Sequence, residues 1–136
     1  MRPDAERALR ITPESSATAR TIDITTVGAR TGRPRRIEIW FYRVDDQVFL
    51  TTQPAARHWY ANLLAHPEFT FHLKNGVRAD LPARAEPVLD RDERRRVFRA
   101  IVDDLNHPRH RAYLVQPVEP VDEWVERSPL MHIAFD

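Results

Sequence analysis

The chain has 136 residues, enough for one domain of ordinary size with its own core. Hydrophobic residues make up 42% of it and charged residues 30%. No apolar run approaches the ~18–20 residues of a membrane helix, and the start of the chain lacks the apolar stretch of a secretory signal, so a cytoplasmic protein without an integral membrane segment is expected. With no cysteine, disulfide frameworks, thiolate metal sites and cysteine nucleophiles are excluded; a net charge of +1 argues against a polycationic nucleic-acid binder.

Residues Pro3–Arg10 open with Pro and Asp, as a first helical turn prefers, and Ser15, Ser16 and Thr18 then read as a mobile connection. Residues 1–19 are thus expected as a helix and linker ahead of a domain spanning 20–136. From Thr21 the apolar period switches to two. Thr21–Val27 sets Ile22 and Ile24 against Asp23 and Thr25. Arg36–Arg43 sets Ile37, Ile39 and Phe41 against Glu38, Trp40 and Tyr42. A Gly- and Pro-rich turn, Gly28–Arg35, joins these two strands. Asp45-Asp46 predicts a tight turn and Gln47–Thr52 a third strand.

Pro54–Ala65 predicts a helix carrying Trp59, Tyr60, Leu63 and Leu64. Glu68–Lys74 is a strand that meets Asn75-Gly76, a strong two-residue hairpin signal, and Val77–Val88 answers it, with Pro82 marking a bend or an edge. Asp90–Leu105 is a helix with Asp90 and Glu93 in capping-box spacing and Val97, Phe98, Ile101, Val102 and Leu105 on one face. A shorter helix near Val121–Arg127 precedes a last strand, Leu130–Phe135. About six strands in hairpin order with few helices predict a mainly β fold, a small antiparallel barrel.

The turn is the most unusual stretch. It gathers Arg30, Arg33, Arg35 and Arg36 without an acid, beside Gly28 and Gly32 and the Thr31 hydroxyl. Such a set suits a phosphate or several carboxylates; the bland alternative is a solvated basic loop. The second candidate is Thr51–Tyr60, where a strand runs out into a helix start. There Trp59 can flank a planar ring and Asn62 can hydrogen-bond one, or the aromatics can simply be core. His58, after Arg57, is a further donor to an anion. The His107-Pro-Arg-His110 spacing has no acidic ligand type within it, His72 and His132 lie in strands, and no metal site is expected. With no nucleophile elbow, Walker lysine or dinucleotide fingerprint, no protein residue is assigned a catalytic role, and an enzyme built from this chain would rely on a cofactor.

Thr25-Thr-Val-Gly-Ala-Arg-Thr-Gly-Arg-Pro-Arg-Arg36 with Ile-Glu-Ile-Trp-Phe-Tyr42, followed by Trp59-Tyr-Ala-Asn-Leu-Leu-Ala-His-Pro67, resembles the deazaflavin-dependent nitroreductase and quinone reductase family of split β-barrel oxidoreductases. The likeness runs from about Arg20 to Phe135. It implies coenzyme F420 in a groove beside the barrel. Arg30, Thr31, Arg33 and Arg35 would then meet its acidic tail and phosphate, and Thr51, Thr52, Trp59 and Asn62 would border its ring. The family's Ser-Lys-x-Gly after the third strand is replaced here by Thr52-Gln-Pro-Ala55, which removes a lysine and leaves Arg57 as its candidate substitute. Tyr113 and Trp124 are the aromatics available around a substrate. The implied activity is hydride transfer from reduced F420 to a quinone, nitro or enoyl compound. The alternatives are an FMN-dependent reductase on the same barrel, or a non-catalytic module holding a deazaflavin, haem or lipid. The partner is a small molecule and not nucleic acid; peripheral membrane contact and oligomeric state stay open.

Overall fold

In the computed structural model, which describes residues 1–107 and 118–136, six strands close an antiparallel barrel. They are β1 (Thr21–Val27), β2 (Pro34–Val44), β3 (Gln47–Thr51), β4 (Glu68–Leu73), β5 (Ala79–Pro87) and β6 (Leu130–Phe135), in the spatial order β1-β2-β3-β6-β5-β4. Helices α1 (Pro3–Leu9) and α2 (Ala17–Arg20) precede β1; α3 (His58–Ala65) links β3 to β4; α4 (Arg91–Leu105) and α5 (Val121–Arg127) lie between β5 and β6.

The period-two positions point inward as the sequence predicts. Ile22, Ile24, Ile39, Phe41, Leu50, Phe69, Phe71, Ala83 and Ile133 fill the barrel, with the Phe71 ring edge-on to Phe41 at 5.4 Å and to Phe135 at 5.1 Å. Each large side chain removed from water contributes about 1.5–3 kcal/mol, so this layer sets the closure of the sheet. Alternation separates the two faces of β2 but not their fates. Tyr42 and Val44 on the outer face are buried as well, because α4 and α5 cover them with Val97, Phe98, Ile101 and Trp124. Helix α4 starts where Asp90 accepts from the Glu93 amide at 3.0 Å.

Asp45 and Asp46 both have positive φ, at 50° and 63°, and Val44 pairs with Gln47, as a two-residue hairpin of the primed type requires. The Asn75-Gly76 hairpin is longer than predicted. Its last pair is Leu73 with Ala79, and residues 74–78 form the connection. Tertiary bonds draw it open: Asn75 Nδ2 donates to the carbonyls of Thr18 and Thr21 at 3.1 and 3.3 Å, and Lys74 Nζ reaches Asp23 at 2.7 Å. Pro82 sits in β5 without breaking it. It lies opposite Thr70 of β4, and its carbonyl accepts from the Asp136 amide at 3.2 Å just past the end of β6, so its missing N–H falls where the β5–β6 ladder stops.

The N-terminal connection is anchored rather than mobile. Ser16 caps α2 by accepting from the Ala19 amide at 3.1 Å, and the buried Arg20 guanidinium grips Asp104 at 2.5 Å and the carbonyls of Thr12 and Ser15 at 2.9 and 3.0 Å. Ala5, Leu9 and Ile11 join the barrel core. Several element boundaries also move by one to four residues. β2 begins at Pro34, β3 ends at Thr51, and α3 begins at His58 rather than Pro54. Arg57 is still extended, with φ −135° and ψ 139°, because the chain crosses from the end of β3 to the barrel mouth before Trp59 enters the core.

Candidate cofactor site

The β1–β2 hairpin outgrows the barrel. β4 pairs with β1 only over Asp23–Thr25, whereas the β1–β2 ladder continues to Val27 opposite Pro34. Thr26 and Arg35 face each other across this extension. They share the inward direction of Ile24 but lie beyond the last β1–β4 pair. Helix α3 approaches from the other side, and between them is a cavity of about 640 Å³ lined by Thr26, Gly28–Thr31, Arg35, Ile37, His58, Trp59, Ala61 and Asn62. Cofactor-sized pockets fall in this range.

The turn owes its shape to glycine and to Asn62. The Gly28 amide donates to the Arg33 carbonyl at 2.8 Å and the Gly32 amide to the Gly28 carbonyl at 2.9 Å. Gly32 adopts φ +66°, where a side chain is disfavoured, and a Cβ on Gly28 would lie 2.5 Å from Thr31 Oγ1. Asn62, almost fully buried, accepts from the Ala29 amide at 2.9 Å and donates to Thr26 Oγ1 at 3.1 Å. Its amide therefore staples the turn to the helix, a positioning role that the sequence did not reveal.

Arg30 and Arg35 project into this space with no acidic partner among the described residues, and no acid lines the cavity. Arg36, next in line, is on the opposite face and pairs with Asp23 at 2.9 Å. Trp59 belongs to the barrel core and to the cavity wall at once. Its Nε1 is buried without a partner, and its ring meets Tyr60 edge-on at 5.9 Å. Two guanidiniums, a hydroxyl, turn amides and an indole make a donor-rich, apolar-walled cleft. That chemistry fits a planar ring carrying phosphate and carboxylates.

The other expected contacts fall elsewhere. Arg33 is exposed outside the lining. Thr51 is buried and its hydroxyl donates to the Pro129 carbonyl, tying β3 to the start of β6. Thr52 Oγ1 is buried without a partner and lies outside the lining. Arg57 opens onto a second cavity on the far side of α3. Trp124, expected near a substrate, is buried under α4 with its Nε1 donating to the Glu119 carbonyl at 3.0 Å. Tyr113 and His110 lie outside the described residues. Thr26 and Ile37 were missed as lining residues, although their parity with Ile24 was the available signal. Among the described residues no helix is long and apolar enough to cross a membrane.

A closed six-strand antiparallel barrel with a basic cleft at the mouth of its first hairpin defines a split-barrel protein. A family model for F420H(2)-dependent quinone reductase matches residues 11–118, most of the chain, and the chain belongs to that family. Its class is F420-dependent oxidoreductase and its cofactor is coenzyme F420. Curated proteins give no significant match. Among solved structures, a conserved hypothetical protein from Mycobacterium tuberculosis is 21% identical with a TM-score of 0.65, over 99% of this chain and 81% of that one. An F420-H2 dependent reductase is 16% identical with a TM-score of 0.54, over 84% and 93%. A heme storage protein from Vibrio cholerae is 16% identical with a TM-score of 0.58, over 100% and 92%. At these identities the structural likeness carries the fold.

Proposed function

We propose that reduced coenzyme F420 binds in the cleft between the β1–β2 turn and α3, and that the acceptor is an electron-poor organic compound, a quinone first among the quinone, nitro and enoyl classes. The observation that carries this reading is the pair Arg30 and Arg35 on a cavity wall without an acid among the described residues, across from the indole side of α3. Arg30, Thr31 and Arg35 hold the anionic tail, Trp59 walls the ring, and Asn62 keeps the turn at a fixed distance from the helix. Bound there, the reduced deazaflavin supplies a hydride, which with one proton converts a quinone to its quinol. The chain's share is orientation, charge neutralisation and exclusion of water.

Titrating the purified protein with F420 and with FMN, followed by F420H2 oxidation with menadione as acceptor, tests the reading. The expected results are micromolar or tighter F420 binding, about −8 kcal/mol, and steady turnover. FMN binding about tenfold tighter would move the protein to flavin chemistry. Tight F420 binding without turnover on any quinone, nitro or enoyl acceptor would leave a carrier.

A further inference from the structure

The approach to α3 separates two cavities, and the second has a chemistry of its own. It encloses about 430 Å³ between residues 55–57, Tyr60, the end of β5 and the junction of α5 with β6. Arg94 is on its wall but is consumed by the fold: its guanidinium donates to the carbonyls of Val88, Val125 and Ser128 at 3.0, 2.8 and 2.6 Å. Arg127 shares its charge with Glu123 at 3.2 Å. Glu126 is neutralised by Arg91. Arg57 is exposed, lines the cavity and has no partner among the described residues.

Two further observations point to a ligand. Ser128, which lines the cavity, is only 4% exposed, yet its Oγ has no hydrogen-bond partner; buried hydroxyls in folded proteins are nearly always satisfied. Leu89 is 73% exposed at the rim, the largest exposure of any sizeable apolar side chain here among the described residues, and Ala55 and the buried Val125 and Pro129 also line the cavity. An uncommitted guanidinium, an unsatisfied hydroxyl and an apolar rim suit one anionic head on a small apolar body. With Glu126 paired to Arg91 and Arg127 to Glu123, the single uncommitted guanidinium on this wall matches a monoanion.

We propose that this second cavity binds a small organic monoanion, an aromatic or short aliphatic carboxylate, with Arg57 holding the carboxylate. The site is separate from the cofactor cleft, and the inference does not depend on which cofactor occupies that cleft.

Benzoate titrated into the isotope-labelled full chain, followed by amide NMR shifts, tests it, with benzyl alcohol as the neutral counterpart. The expected result is saturable shifts at Arg57, Tyr60, Arg127 and Ser128 in about the millimolar range or tighter, with benzyl alcohol at least about tenfold weaker. Arg57→Gln weakens benzoate about tenfold and Arg57→Lys, which keeps the charge, restores part of it. Arg57 is exposed, and retention of the wild-type spectrum elsewhere verifies that each variant is folded. The proposal is overturned by equal binding of benzyl alcohol, by no saturable shift, by an unchanged affinity in Arg57→Gln, or by shifts centred on Gly28, Thr31 and Asn62. Displacement of bound F420 by benzoate also overturns it, because the two ligands would then share one cleft.

Discussion

The molecule uses arginine in opposite ways at its two ends. Under α4 and α5, Arg20 and Arg94 are spent inside the protein: Arg20 on Asp104 and two carbonyls, Arg94 on the carbonyls that end β5 and α5 and over the Phe98 ring at 5.2 Å. At the barrel mouth, Arg30 and Arg35 are exposed and have no partner among the described residues. The difference lies in context, not residue type. A guanidinium surrounded by carbonyls closes the fold, whereas one held on a glycine turn beside a cavity keeps its donors turned to solvent.

The largest expected effect lies at the closed end. Arg20→Ala removes the buried guanidinium that donates to the largely buried Asp104 carboxylate and to two carbonyls, and should cost about 3–5 kcal/mol in denaturant unfolding. A loss below about 1 kcal/mol would mean that Arg20 is as dispensable as a surface arginine.

At the open end the order reverses. Arg30→Glu and Arg35→Glu should each change stability by no more than about 0.5 kcal/mol while F420 affinity falls by about 1.5–3 kcal/mol, tenfold or more. Thermal melts and fluorescence titrations on the same samples decide it. A collapse in Tm would make these residues anchors like Arg20. Retention of both stability and affinity would leave the turn merely solvated. Affinity for F420 should also weaken with added salt, because the Debye length shrinks from about 10 Å at 0.1 M to about 3 Å at 1 M.

Asn62→Ala belongs between the two ends. It orphans the Ala29 amide and the Thr26 hydroxyl, so both readouts should move: stability by about 1–3 kcal/mol and cofactor affinity with it. Loss of stability with unchanged affinity would show that the turn keeps its place without the staple.

The smallest effect is on the outer face of β1. Burial pushes the Asp23 carboxyl up, but hydrogen bonds from Lys74 and Arg36 outweigh it and hold the group below its ordinary value of 3.8. A carboxyl depressed in the folded state adds stability above its unfolded value and loses it as pH falls through the lowered folded value. Asp23→Asn should therefore flatten part of the acid-side decline in the urea midpoint while leaving cofactor affinity unchanged. An identical acid profile in the variant would show that the ion pairs contribute nothing.

Local sequence was sufficient for much of this. Period two in Thr21–Val27 and Glu68–Leu73 identified the strands, because alternate side chains must face a core or water. Asp45-Asp46 fixed a two-residue turn, because its geometry is carried by those two residues alone. The glycine-flanked arginine turn and the Trp59–Asn62 stretch marked the two walls of the cleft. What these readings shared was independence from distant neighbours.

Only the tertiary structure decided the rest. Whether Tyr42 faces water depended on α4, over fifty residues away in the chain. Asn75-Gly76 lost its tight turn to bonds from α2 and β1 that no local signal contains. Arg35 reached the cleft because the hairpin runs past its last pairing with β4, and Arg57 missed it because the chain arrives at α3 extended. Residue types and periods determined that the chain would form a barrel with a basic, glycine-flanked turn. Register, packing and the competition for hydrogen bonds determined which arginines remain free to bind, because a side chain's commitments depend on neighbours brought together only by folding.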